Sequence, residues 1–327
     1  AEAAPLLIMG LSRPDLMDKR PSWGAYKKNY VSLFLEPLDQ EKSHTLIRQL
    51  LKVEDLPEWL WRIISGKSEG NPFYIEEILR MLIEDGVLAQ RDGTWQATTD
   101  AVEARIPDTI QALMAARIDR LEPEEKRVIQ EGAVVGRVFW EGALARLVPE
   151  IKGEWLETNL KSLEIKELVT EQNDSQLPGE QEWSFNHILV RDVAYESIPR
   201  AKRVAKHIEV ARWVENKATD RLEGFAEMLA YHWEQAALVD LEMGALLGRS
   251  AASEETRERA VRYLKLAGDK AKSVHSNVTA NDHYSRALAI VDSLLEDKAE
   301  TGDGLDDQHL AILYNHAEVL EELGEYN

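Results

Sequence analysis

Seven residues near the end of the chain constrain its fold most: Leu264, Ala267, Gly268 and Ala271, followed by Ala280, Tyr284 and Ala287. They recur at three- and four-residue steps, so each group lies along one face of a helix. Small side chains on both faces let two antiparallel helices approach closely, and Tyr284 is the bulky member that fills the seam. A chain with this pattern is built, at least here, from stacked helices.

These are the spacings of a tetratricopeptide unit. A second set starts near Leu310 with Leu313, Ala317 and Leu320, and Gly324-Glu325-Tyr326 stands where the turn inside a repeat belongs. The acidic stretch Asp297 to Asp307 separates the two sets. Half a repeat cannot bury its apolar face, so the second unit, ending at Asn327, reads as interrupted. The other end, Ala1-Glu2-Ala3-Ala4-Pro5, has no initiator Met and no basic region before its apolar run, and reads as a cut end rather than a secretory signal.

Helical periodicity begins at Asp39. Leu46, Ile47, Leu50 and Leu51 make one apolar stripe, Leu56, Trp59, Leu60, Ile63 and Ile64 a second, and Phe73, Ile75, Ile78, Leu79, Leu82 and Ile83 a third, which Gly86 stops. Asp108 or Thr109 can cap a helix carrying Ile110, Leu113, Met114, Ile118 and Leu121. Further helices are expected over 124–135, 140–147 and 154–163. Leu168 to Gln172 and Trp183 to Phe185 then read as a hairpin around a polar loop. Several helices closed by one hairpin predict a winged-helix domain, and beyond Pro199 everything reads as helix. Only Pro5 to Ser12 and Tyr30 to Leu35 look like short buried strands, a marginal pair unless other chain completes their sheet.

With 327 residues and 44% hydrophobic content, about two domains are expected. No apolar run approaches the roughly 18–20 residues of a membrane-spanning helix. The absence of cysteine excludes disulfides, thiolate catalysis and Cys-ligated zinc and fits a cytoplasmic setting. The 39 basic against 59 acidic residues leave a net charge of −20, which repels phosphate backbones and disfavours nucleic acid as a partner.

Gly66-Lys67-Ser68 matches the end of a phosphate-binding loop, whose pattern needs a glycine five residues before the second glycine, at the end of a strand. Trp61 occupies that position on an expected helix, so the tripeptide reads as a solvated turn between helices. No His-Glu-x-x-His and no Gly-x-Ser-x-Gly occurs, and no catalytic or metal-binding residue is assigned.

Taken in order, "LLIMGLSRPDL", "SEGNPFYIEEILRMLIEDGVL", "IPDTIQALMAARIDRLEPEEKRVIQEGAVVGRVF" and "FNHILVRDVAYESI", followed by the tetratricopeptide helices, resemble the signal-transduction ATPases with numerous domains, the AAA+-related STAND class. The bacterial branch it resembles is often joined to class III adenylate or guanylate cyclase, kinase or transcriptional-regulator domains. The resemblance runs from about Leu6 to Asn327. It implies that Arg13, at the end of a strand, senses the terminal phosphate; a guanidinium there can donate two hydrogen bonds. It implies that Gly70 and Pro72, in Gly-Asn-Pro, set a rigid apolar wall against adenine. It further implies that His187 reaches the β-phosphate of ADP, although Asn186 and Ile188 replace the Met and Asp of that motif. Read from the residues alone, Arg13 is an exposed turn arginine, Gly70–Pro72 a helix start and His187 a cap or packing residue.

The resemblance implies a mainly α chain: the end of a nucleotide-binding domain (1–38), a helical lid (39–105), a winged helix (106–200), a helical connector (201–259) and repeats (260–327). Its implied cofactor is ATP or ADP, with Mg held by a P-loop core upstream, and its partners are a protein or small ligand on the repeats, with homo-oligomerisation on activation. The alternative is a nucleotide-independent helical scaffold whose activity is protein binding.

Overall fold

The computed structural model describes residues 7–12, 16–17, 23–24, 28–52, 57–91, 94–97, 106–150, 153–247, 254–298 and 307–324. The chain divides into two compact units, residues 1–101 and 102–327. Among the described residues it is a mainly α protein with two small antiparallel sheets.

In the first unit the three apolar stripes become helices α1 (Gln40–Leu51), α2 (Glu58–Ser68) and α3 (Pro72–Glu84), which pack on one another pairwise. Asp39 starts α1 by accepting from the Lys42 N–H at 2.8 Å, and Asn71 starts α3 by accepting from the Tyr74 N–H at 3.3 Å. Ile47, Leu60, Ile64, Ile75 and Ile78 are wholly buried, so the amphipathic faces close one small core. Gly86, at φ 68°, ends this run of chain. An unforeseen hairpin follows, with β1 (Leu88–Arg91) paired to β2 (Thr94–Ala97) from Leu88↔Ala97 to Arg91↔Thr94. The Asp92-Gly93 dipeptide between them is the sequence signal for it.

The two early apolar runs require a correction. Described residues 7–12 and 30–35 are not strands, and Leu7, Ile8, Leu11, Val31, Leu33 and Leu35 are exposed. A strand exists through its ladder, and two short segments offer each other too few hydrogen bonds and too little buried area to form one.

The second unit opens with α4 (Ile110–Asp119), where Thr109 rather than Asp108 is the cap, accepting from the Ala112 N–H at 3.1 Å. Thr109→Ala should therefore lower stability by about 1 kcal/mol in chemical denaturation; no change would show that the cap is replaced. Next come α5 (Pro123–Val135), β3 (Val138–Trp140), α6 (Glu141–Leu147), α7 (Glu154–Ile165), β4 (Val169–Glu171) and β5 (Glu182–Phe185). The sheet order is β3-β5-β4, antiparallel throughout, with Phe139 opposite Trp183 and Thr170 opposite Ser184. A helix, a short strand, two helices and a hairpin that receives the short strand on its return edge are the winged-helix arrangement expected from the sequence. Strand β3 is the addition: Trp140, expected to open a helix, closes a strand instead. Two indole bonds brace it, the Trp140 N–H donating across to Glu182 of β5 and the Trp183 N–H of β5 to Glu141 at the start of α6, each at 3.0 Å.

The rest is helical: α8 (Ile188–Glu196), α9 (Arg200–Lys217), a 3₁₀ segment (Thr219–Phe225), α10 (Ala226–Leu247), α11 (Glu254–Ser273), α12 (Asn277–Lys298) and α13 (Asp307–Leu323). From α9 onward each helix packs mainly on the next, giving a tetratricopeptide-like superhelix. Leu264, Ala267, Ala280, Tyr284 and Ala287 are all buried in the α11–α12 seam. At Gly268 an added Cβ would lie 2.5 Å from the Tyr284 ring, which is why this face carries a glycine. No helix among the described residues is long and apolar enough to cross a membrane.

Candidate functional site

The Gly66-Lys67-Ser68 tripeptide, expected as a turn, is instead the last turn of α2, with Trp61 buried on the same helix. Lys67 there complements the negative helix end. The true turn is one step later. Glu69 and Gly70 are both left-handed, at φ 48° and 77°, and the Asn71 N–H closes back on the Ser68 carbonyl at 2.8 Å.

Gly70 is tied to the segment that leads into α1. The Leu38 N–H donates to the Gly70 carbonyl at 2.8 Å, and a Cβ on Gly70 would stand 2.1 Å from the Leu38 carbonyl oxygen. Glycine is needed here for its backbone angle and for the missing side chain. This contact presents Pro72, the first residue of α3, with its ring exposed. The corner therefore offers a rigid apolar surface at a helix start, without an N–H to satisfy.

His187 lies in the second unit, at the junction between β5 and α8. It caps α8, with Nδ1 accepting from the Leu189 N–H at 3.1 Å, which assigns the proton of the neutral ring to Nε2. Its neighbour Asn186 is pinned to β4, accepting from the Thr170 hydroxyl at 2.6 Å. Arg13 lies outside the described residues. The four sequence-assigned residues thus divide into the Gly70–Pro72 corner of one unit and the His187 cap of the other, with Arg13 undescribed.

The winged helix carries no cationic face on its third helix. Helix α7 holds Glu154, Glu157 and Glu164 against Lys161, and Lys161 is itself bonded to Glu164 and Glu171. Lys166, just beyond, is bonded to Glu125. Burial acts against ionisation of Glu125, but the Lys166 ammonium, the Ser162 hydroxyl and the Glu122 N–H outweigh it and hold the carboxyl below its usual range.

Sequence reasoning missed a buried polar cluster where α8, α9 and α10 meet the end of α5. His207 and His232 are fully buried and their Nδ1 atoms are 2.8 Å apart. The Tyr195 hydroxyl is 2.8 Å from His207 Nε2, and His232 Nε2 is 3.1 Å from the Val135 carbonyl oxygen. Arg191 donates to the Ala133 carbonyl at 2.9 Å and to the Tyr231 hydroxyl at 3.2 Å. A signal existed on α9, where His207, Val210, Ala211 and Val214 share one helical face.

A second polar cluster joins α11, α12 and α13. Asp269 accepts from the Tyr284 hydroxyl at 2.7 Å, from the Asn315 amide at 3.0 Å and from Lys265 at 2.6 Å, while Lys272 pairs with Glu318. Burial first, and then the Asp269 carboxylate, push the Tyr284 phenol above its ordinary range. It is therefore a fixed donor at any working pH.

A domain family of unknown function (DUF8739) matches residues 39–96. That span covers α1 to α3 and nearly all of the β1–β2 hairpin. An uncharacterized protein of Rhizobium meliloti (strain 1021) is 23% identical over 312 residues, covering 89% of this chain and 27% of its own length; the chain thus spans about a quarter of that relative. A solved structure from Pyrococcus horikoshii, described as a STAND protein with a tetratricopeptide repeat sensor, is 13% identical, with 89% of this chain and 48% of that one covered and a TM-score of 0.32.

Proposed function

We propose that this chain is the lid, winged helix and first sensor helices of a nucleotide-dependent signalling switch of the STAND type. ADP held by a P-loop core would keep the lid and winged helix closed; exchange for ATP, biased by a protein or small ligand on the helical repeats, would release them. The single observation that carries this reading is the Gly70–Pro72 corner. A left-handed glycine pressed on the Leu38 carbonyl and an exposed proline at a helix start form a rigid wall suited to a nucleobase, and they occur where the ordered motifs of that class place it.

His187 would supply an Nε2–H for the β-phosphate while Nδ1 keeps its capping bond. Arg13 would approach the terminal phosphate. The acidic α7 speaks against a DNA-binding use of the winged helix.

The test is calorimetric titration of ADP into the natural polypeptide extended through the implied P-loop core. Pro72→Ala and His187→Ala are each expected to weaken ADP by about 5- to 50-fold, roughly 1–2.3 kcal/mol; His187→Ala also removes the α8 cap, so its stability without nucleotide should fall by about 1 kcal/mol. Unchanged affinity in both variants rejects the site. No ADP binding at all favours the scaffold reading.

A further inference from the structure

The buried cluster has a direction that one atom dictates. The Val135 carbonyl can only accept, so His232 carries its proton on Nε2 and leaves Nδ1 as an acceptor. His207 must then carry its proton on Nδ1 and donate to His232, which leaves its own Nε2 to accept from the Tyr195 hydroxyl. Every donor and acceptor along the chain is used once, and both rings are neutral.

We propose that this Tyr195–His207–His232–Val135 chain is a proton-operated latch, which clamps α9 and α10 onto the winged helix while both imidazoles are neutral and opens when they take up protons. The clamp has one end on each side: Val135 and Tyr195 belong to α5 and α8, and the two histidines to α9 and α10.

The surroundings oppose charging the rings. On α8, Arg191 lies over the Tyr195 ring at 4.8 Å and is bonded to Asp192. On α9, Arg203 lies over the same ring at 4.3 Å, donating to the Ile198 and Glu196 carbonyls, and Lys206 is paired with Glu131 of α5. On α10, the Tyr231 hydroxyl is held by Arg191. The nearby carboxylates are thus engaged by other cations, and neither ring is bonded to one. A first proton would require the Tyr195 hydroxyl to turn round and accept. A second would set N–H against N–H between the rings.

Burial, reinforced by Arg191 and outweighing the bond to Val135, lowers His232 to about 3, and burial with His232, Arg191 and Arg203 holds His207 well below its ordinary value. Both folded-state values are depressed, so the clamp is at full strength above the ordinary imidazole value near 6.5 and weakens as pH falls below it. At pH 5.5 the open form gains about tenfold per ring, hence about a hundredfold for the pair.

The latch is tested by amide hydrogen exchange on the whole chain at pH 7.5 and 5.5, corrected for the intrinsic pH dependence of exchange. Peptides from α8 to α10 should open about a hundredfold more at the lower pH, and the His207→Gln/His232→Gln variant should flatten this difference. His283 and His316 are also lowered by burial, so His283→Gln/His316→Gln is the control and should leave the difference in place. Equal corrected protection at both pH values, or a difference that survives in the first variant, overturns the latch. Should that variant fail to fold, imidazole ¹⁵N shifts of the wild-type chain decide: Nδ1–H on His207 and Nε2–H on His232 at pH 5.5 with α8–α10 still closed support it. A ring that titrates near 6.5 with α8–α10 protected overturns it.

Discussion

Gly70→Ala is expected to destabilise the first unit by roughly 2–5 kcal/mol. A left-handed backbone costs an L-residue about 1–2 kcal/mol, and at φ 77° Gly70 lies in that region. Overpacking a fixed site adds about 1–3 kcal/mol, and the new methyl would sit 2.1 Å from the Leu38 carbonyl oxygen. Both sides of that residue are held, its N–H by the Gly70 carbonyl at 2.8 Å and its carbonyl oxygen by the Ser43 hydroxyl at 3.5 Å. The neighbouring Glu69→Gly supplies the opposite sign: φ 48° suits glycine, and a gain of up to about 1 kcal/mol is expected. Hydrogen exchange of peptides within residues 39–97 reads both variants. A Gly70→Ala protein as protected as the wild type would mean that the Leu38 segment leaves the corner easily, and the wall offered by Pro72 would then not be rigid.

Helices are legible in the sequence where periodicity alone decides them. Ile75, Ile78, Leu79 and Leu82 share one face by their spacing, and they are buried. Caps are legible nearly to the residue, with Thr109 and Asp108 both able to start α4 and the fold using Thr109. Strands are legible only where a turn signal is read with them. Strand β3 is three residues long and owes its existence to pairing with β5, more than forty residues later, so no local pattern announces it. The apolar runs at residues 7–12 and 30–35 err the other way, since apolar content shows what a segment can bury but not whether a partner is there to bury it.

The candidate site shows the same division. Gly-Asn-Pro is local turn chemistry, so a left-handed Gly70 followed by a helix opening at Pro72 can be read directly. That Leu38 is what presses on Gly70 cannot, because the two residues are far apart in the chain and the spacing of the stripes between them does not announce the contact. His187 as a cap follows from its place after β5. The His207–His232 pair is invisible for a further reason: each histidine sits on an apolar face of its own helix, and the bond between them depends on how α9 and α10 are rotated about their axes. Sequence spacing fixes which residues share a face, not which faces meet.

Gly268→Ala tests that second kind of information in the repeats. Its methyl would fall 2.5 Å from a ring carbon of Tyr284. Tyr284 has no room to yield, being fully buried with its hydroxyl held by Asp269 at 2.7 Å. A loss of about 2–3 kcal/mol is expected from the single change. Tyr284→Phe loses about 1–1.5 kcal/mol with its hydrogen bond but keeps the ring edge, so it should not relieve the clash. Tyr284→Leu removes that edge, and the Gly268→Ala/Tyr284→Leu double variant should cost at least about 1 kcal/mol less than the sum of the two single changes. Denaturation midpoints of the four proteins give the coupling directly. Because stacked repeats are stabilised through neighbours, the loss should appear as raised hydrogen exchange in α11 to α13 with the winged-helix core still protected. Additive single effects would mean that the two helices already stand further apart than the Gly268–Tyr284 contact requires. A loss of protection spread equally through the winged helix would mean that repeats and winged helix unfold as one body.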